Sequence, residues 1–317
     1  MTVWILFIAA VALLLTFDLG VLNRRAHAIS LKEATVWSTF WIGLGLGFSV
    51  LIYFIYQNQW IANPNGLTAW NATLKYITGY LVEMSLSMDN IFVIAVIFSS
   101  FAIPEKYQHR VLFWGIVGAI LFRITAIYLG VALLNKFIWI TYVFGGFLVI
   151  TALRLLRSHK KVYEPKDSIV FRWVNMIIPV SHTIDSQKFF VRKDKVLMAT
   201  PLLLALVVIE FTDILFALDS IPAVLGITSD TFLVFSSNIL AVMGLRSIYF
   251  FLSHMVSRFK YLKYSLSAIL FFVGVKLILS HHIELPEWVS LAFIALSLTL
   301  GVLFSLRSKE EEDAQGS

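Results

Sequence analysis

Apolar residues gather in nine long blocks, at about 3–22, 34–56, 73–99, 111–134, 137–156, 200–225, 232–253, 264–280 and 288–306, with most charges in the stretches between. A helix needs roughly 20 apolar residues to cross a bilayer, and each block approaches or exceeds that length. Strand-length alternating segments are missing, which argues against an outer-membrane barrel. The pattern predicts an all-α polytopic membrane protein with about nine transmembrane helices. Composition agrees: the 317 residues are 59% hydrophobic and 14% charged, against about 25% charged in a soluble domain.

The polar breaks set the topology. Twenty of the 25 Lys and Arg residues fall in alternate connections: Arg24 to Lys32, Lys106 to Arg110, Arg154 to Lys195, Arg258 to Lys263, and the tail with Arg307 and Lys309. The connections between these carry only Lys75 and Lys136, and Arg123, Arg246 and Lys276 lie within blocks. The positive-inside rule then puts the N-terminus outside and the C-terminus in the cytoplasm. Trp60, Trp70, Trp139 and Trp288 stand near block ends, where interfacial aromatics belong. A net charge of +6 is accounted for by this anchoring, with no nucleic-acid partner; the partner is the lipid bilayer. Ala26-His27-Ala28 looks like a signal-cleavage site, but no basic segment precedes the first block and Arg24-Arg25 follow it, so a retained helix is expected. The basic 157–199 connection reads as a helix lying on the anionic inner leaflet, with partner docking as the other reading. Lys309-Glu-Glu-Glu-Asp313 reads as a solvated end.

Two blocks carry carboxylates. Glu83-Met-Ser-Leu-Ser-Met-Asp89-Asn90 has an echo in Asp213-Ile-Leu-Phe-Ala-Leu-Asp219-Ser220, with Glu210 three residues ahead. A mid-bilayer carboxylate costs roughly 2.5–3.5 kcal/mol, so five cost on the order of 12–17 kcal/mol without compensation. Arg123 and Arg246 follow one block later in each copy, and Leu153-Arg-Leu-Leu-Arg-Ser-His159 matches Val275-Lys-Leu-Ile-Leu-Ser-His281 two blocks later. Three anchors in one order make a repeat of three spans, 73–159 against 200–282. Because three is odd, the second copy must enter the membrane from the other side. Two helices (1–72) precede the repeats, the basic loop (160–199) separates them, and the last helix and tail (283–317) follow. Inverted repeats mark secondary transporters, whose substrate sites lie at midplane where the repeats meet.

Residues seven apart on a helix nearly coincide in direction, while residues six apart diverge by about 120°. Glu83 thus shares a face with Asn90 and Asp213 with Ser220, whereas Asp89 and Asp219 look elsewhere. Convergence of all the acids on one ion requires unwinding near 86–90 and 216–221, which Pro222 would assist. The donors are carboxylates, the Asn90 amide, hydroxyls and carbonyls, a hard set suited to Mg²⁺, Ca²⁺ or Mn²⁺. The chain has no cysteine, so thiolate sites and disulfides are excluded. His159, His281 and His282 sit at block ends and read as interfacial residues. The bland reading of Arg123 and Arg246 is a folding clamp that neutralises carboxylates, but five acids against two arginines leave a surplus of about three negative charges. Asp18 reads equally as a pairing partner or a site residue.

These motifs resemble the TerC family of integral membrane proteins. The resemblance rests on Glu83-x5-Asp89-Asn90, Glu210-x2-Asp213-x5-Asp219-Ser220-Ile221-Pro222, the in-span Arg123 and Arg246, Asp18 ahead of Arg24-Arg25, and Phe189-Phe190-Val191-Arg192. It covers nearly the whole chain and is closest to the alkaline-induced Alx branch. It implies a bacterial inner-membrane exporter of Mn²⁺, with the metal as transported substrate and no organic cofactor. Glu83, Asp89, Glu210, Asp213 and Asp219 would handle the ion, with Asn90 and Ser220 beside them. The wider family is linked with tellurium resistance and with thylakoid membrane biogenesis, so an assembly factor or a resistance scaffold is the rival reading. No G-x-x-x-x-G-K-[ST] segment supports primary pumping, and no nucleophile arrangement supports an enzyme. Proton antiport is the coupling such carboxylates would permit.

Overall fold

Local signals set the helix starts. Ser30 caps α2 (Leu31–Gln57), its Oγ accepting from the N–H of Glu33 at 3.3 Å, and Thr68 does the same for α3 (Ala69–Ser100) through Asn71 at 3.2 Å. Each side chain satisfies one of the amides that a first turn leaves unpaired. Pro201 opens α6 (Pro201–Leu225), where its missing N–H costs nothing. Asp230 Oδ1 accepts from Phe232 and Leu233 at 3.0 and 3.2 Å at the head of α7 (Thr231–Ser253). The remaining helices are α1 (Thr2–Phe17), α4 (Glu105–Lys136), α5 (Trp139–Arg157), α8 (Leu262–Leu279) and α9 (Glu287–Gln315).

The computed structural model describes residues 2–17, 29–137, 139–157, 179–181, 187–193, 196–253, 262–279 and 286–315; the side chains of Asp89 and Asp219 lie outside the described set. Among the described residues the nine helices sit within a few positions of the nine apolar blocks, except that α4 begins earlier and α9 runs on through the acidic tail. From Lys309 to Gln315 that tail carries three Glu with single Lys, Ala and Gln residues, helix formers that continue the last span. Among the described residues five helices are long and apolar enough to cross a membrane: α2, α4, α6, α7 and α9. The apolar stretches of α1, α5 and α8 are shorter, and α3 is 32 residues long but interrupted by Lys75, Glu83 and Asp89.

α7 is the axis of the bundle. It packs against α2, α3 and α4, and 94% of its most apolar window is buried. α3 also meets α6, α4 packs along α6, and α5 packs along α8. The α5–α8 contact is antiparallel and close: a Cβ on Gly145 would stand 2.7 Å from the Gly274 carbonyl oxygen, and one on Gly274 would stand 2.8 Å from that of Gly145. Further along the pair, Ser267 Oγ donates to the Ala152 carbonyl at 2.8 Å. The aromatic residues Trp4 and Phe7 hold α1 on Phe232 and Phe235 of α7, ring centroids 5.1–5.7 Å apart. Trp60, just past α2, and Trp70, Trp139 and Trp288, at the starts of α3, α5 and α9, are all strongly exposed.

Two sequence expectations need correction. At the end of the 157–199 connection the backbone forms an antiparallel hairpin, β1 (Phe190–Lys193) with β2 (Val196–Ala199), so the surface helix expected for the connection does not extend through these residues. Phe190, Val191 and Val196 favour extended backbone there, and Thr200 Oγ1 ties the hairpin's base to α6 through the Lys188 carbonyl at 2.8 Å. The segment 158–178 lies outside the described residues. Second, neither α3 nor α6 unwinds near its second carboxylate. Pro222 falls in the last turn of α6, where the bond it forfeits is one of the final few, and Gly226 N–H closes the helix on the Pro222 carbonyl at 2.9 Å.

Candidate cation site

Four helices meet at one guanidinium. Arg123 of α4 is fully buried, and so is Glu83 of α3. Arg123 Nη1 donates to Glu83 Oε1 and to Asn238 Oδ1 of α7, the latter at 3.2 Å. Asn238 Nδ2 in turn donates to Glu83 Oε2 at 2.9 Å. On its other edge Arg123 reaches Asp213 of α6, with Nη2 to Oδ1 at 3.1 Å and Nε to Oδ2 at 3.4 Å. Both carboxylates and the amide are thus tied to one planar fork, the geometry guanidinium favours.

The cluster is not symmetric toward solvent. The Asp213 side chain keeps 16% of its exposure against 1% for Glu83. Asp213 borders a narrow cavity enclosed by α3, α4, α6 and α7, together with Asn90, Thr212, Ala119 and Val242. About 20 Å³ of it is open to the centre of a water molecule, room for one or two waters or a single bare ion. The Thr212 hydroxyl is spent on the Ile209 carbonyl at 2.8 Å. The cavity runs from Asp213 toward the start of α4 and of α6, the end of the bundle where Arg110 stacks on Phe189 at 5.2 Å and Tyr249 bonds Gln108 at 3.0 Å.

The remaining expected residues take separate places. The Glu210 carboxylate fills the notch that Gly118 leaves on α4, where a Cβ would overlap it. Gly118 and Arg123 are five residues apart, about 7.5 Å of helix rise, so Glu210 and Asp213 address different turns of α4. Ser220 is buried with no hydrogen-bond partner for its hydroxyl, as is Ser87. Arg246 is buried in α7, and Lys276 donates to Ser290 Oγ at 2.9 Å. Asp18, His159, His281 and His282 lie outside the described residues, as do the Asp89 and Asp219 side chains. Among the described residues no three acidic or histidine side chains converge as a ready metal cage. Asn238 escaped the sequence reading. Its one signal is an amide inside the apolar block that also holds Arg246.

Buried charge of this kind, in a chain with several membrane-length helices, agrees with the relatives found by comparison. Residues 68–313 match the integral membrane protein TerC family. An uncharacterized membrane protein of Myxococcus xanthus is 46% identical over 303 residues, 96% of this chain and 91% of that one. One from Rickettsia bellii is 38% identical over 312 residues, 98% and 99% of the two chains. Alx of Escherichia coli strain K12, named as a candidate membrane-bound redox modulator, is 39% identical over 307 residues, 96% of this chain and 91% of Alx. No solved structure matches. On this match, which spans the whole carboxylate-bearing region, the chain is a multi-pass integral membrane protein of the TerC family.

Proposed function

We propose that the protein is a secondary transporter that exports Mn²⁺ across the inner membrane, through a mid-membrane carboxylate site between two inverted three-helix repeats. The observation that carries this reading is the buried Glu83–Arg123–Asp213–Asn238 cluster, whose Asp213 borders a cavity with room for one ion. Ionisable groups inside membrane helices are expensive and mark ion pathways. The polar groups on the largely apolar cavity wall, Asn90, Thr212 and Asp213, offer oxygen and no sulfur, and the chain has no cysteine, so a hard divalent ion fits better than a soft one. The same lack leaves thiol redox chemistry without a residue here. Mn²⁺ among the hard ions is what membership of the family suggests. Proton counterflow is the proposed coupling.

The inverted repeat draws support from packing. Exchanging α3 with α6, α4 with α7 and α5 with α8 preserves the main contacts among these six helices: α3–α7 becomes α6–α4, and α3–α6, α4–α7 and α5–α8 map onto themselves. The register repeats too. A shift of 122 positions, which aligns Arg154 with Lys276, turns the Gly145–Gly274 approach into the Ser267–Ala152 bond. Nine spans with the basic connections inside would put the cavity's open end toward the cytoplasm, as export requires, and the four exposed tryptophans at the outer interface.

Expression in bacterial cells stripped of their own manganese exporters tests the proposal. Cells carrying the chain should hold less manganese under a manganese load, and Asp213→Asn and the pair Asp89→Asn, Asp219→Asn should restore accumulation. If the acidic variants behave as wild type while deletion of 158–178 abolishes function, the protein is an assembly factor instead.

A further inference from the structure

We propose that Arg123 is a tethered cation which competes with the transported ion for Asp213, and that Asn238 is the positioning residue that gives the guanidinium its resting place on Glu83. This rests on the transport reading and specifies how the site would load and unload. The two arms of the fork are unequal. On the Glu83 side every acceptor is used: Oε1 by Arg123, Oε2 by Asn238, and Asn238 Oδ1 by Arg123 again. That side is sealed from the cavity. On the Asp213 side the bonds are 3.1 and 3.4 Å, the second the longest of the set, and the carboxylate borders the cavity.

A cation that enters therefore meets Asp213 first, and finds both its oxygens already accepting from a positive group. Its coordination there is weakened while the guanidinium stays within 3.4 Å, because the two cations repel each other across one carboxylate. The guanidinium has one supported alternative, to withdraw onto Glu83 and Asn238, where Nη1 is already held. Return of Arg123 to Asp213 would then expel the ion. The competition makes the empty site self-neutralising, so a buried carboxylate pair need never stand bare in the membrane.

The test is Mn²⁺ titration by calorimetry of the purified full chain in nanodiscs, paired with Mn²⁺ flux in proteoliposomes. A competitor that leaves the site open a tenth of the time weakens apparent affinity about tenfold. Arg123→Gln should therefore tighten Mn²⁺ binding about tenfold while flux falls, since nothing displaces the ion. Asn238→Ala should act in the opposite sense, weakening binding because the guanidinium loses its alternative seat. Tighter binding in the first variant and weaker binding in the second support the proposal. Equal or weaker binding in Arg123→Gln overturns it, as a clamp role would lower affinity in both. Should Arg123→Gln fail to fold, Asn238→Ala decides alone, and unchanged or tighter binding there overturns the proposal. Wild type that binds no Mn²⁺ overturns the transport reading itself, a different result from wild type that binds but is indifferent to Arg123.

Discussion

Glu83→Gln and Asp213→Asn each remove one negative charge from the same guanidinium, yet they should break different things. Both Glu83 oxygens accept, one from Arg123 Nη1 and one from Asn238 Nδ2. A glutamine offers one acceptor and one NH₂, so one donor must face another. Turning the Asn238 amide over does not help, because its NH₂ would then meet Arg123. With Glu83 fully buried, no water repairs the mismatch, and removing one partner of a buried ion pair costs about 3–5 kcal/mol. Asp213 keeps 16% exposure toward the cavity, where water can take the place of a lost bond, and its replacement should cost about 1 kcal/mol. At about 2–4 °C per kcal/mol for a chain of this size, Glu83→Gln should lower the unfolding temperature on the order of 10 °C and Asp213→Asn by a few degrees. Intrinsic fluorescence of the purified chain in detergent, from its nine tryptophans, reads both. Mn²⁺ binding should respond the other way, surviving in part in Glu83→Gln and vanishing in Asp213→Asn. An Asp213→Asn protein as unstable as Glu83→Gln would refute the assignment of a sealed arm and an open arm.

Other expectations follow from individual contacts. Gly118→Val should push the Glu210 carboxylate out of its notch, cutting Mn²⁺ uptake while the unfolding temperature moves by only a degree or two; normal uptake would remove Glu210 from the pathway. Gly274→Ala brings a methyl within 2.8 Å of the Gly145 carbonyl, rigid backbone that cannot move aside, and should destabilise by about 1–3 kcal/mol in the same unfolding assay. Asp230→Ala leaves the Phe232 and Leu233 amides without their shared acceptor and should cost about 1–2 kcal/mol, with Mn²⁺ affinity unchanged.

The positions of the helices were legible because a bilayer demands long apolar runs, and length alone separates a span from a buried core helix. The matching acidic motifs lead to the expectation that their two helices meet, and α3 and α6 are in contact. What the pattern could not convey was which side chain takes which oxygen. Arg123 is one residue with two distant partners, and Asn238 in Ser236-Ser237-Asn238 looks like any polar patch until α2, α3 and α4 are seen to bury it. Pro222 misled in the other direction: within a sequence it signals a broken helix, but three residues from the end of α6 it interrupts little. The hairpin was hidden by the charges around it, because Arg192, Lys193, Asp194 and Lys195 suggest a solvated loop whatever the backbone does.

The central claim is that Mn²⁺ crosses the membrane through the Asp213 side of the cluster. The direct measurement is Mn²⁺ uptake into proteoliposomes holding the purified chain and a pH-sensitive dye, compared with Ca²⁺, Mg²⁺ and Zn²⁺, for wild type and Asp213→Asn. Saturable Mn²⁺ entry with a matching change in lumenal pH, lost in Asp213→Asn, is the predicted result. A folded wild-type protein that moves none of the four ions would contradict the account and leave the four-residue cluster a structural clamp.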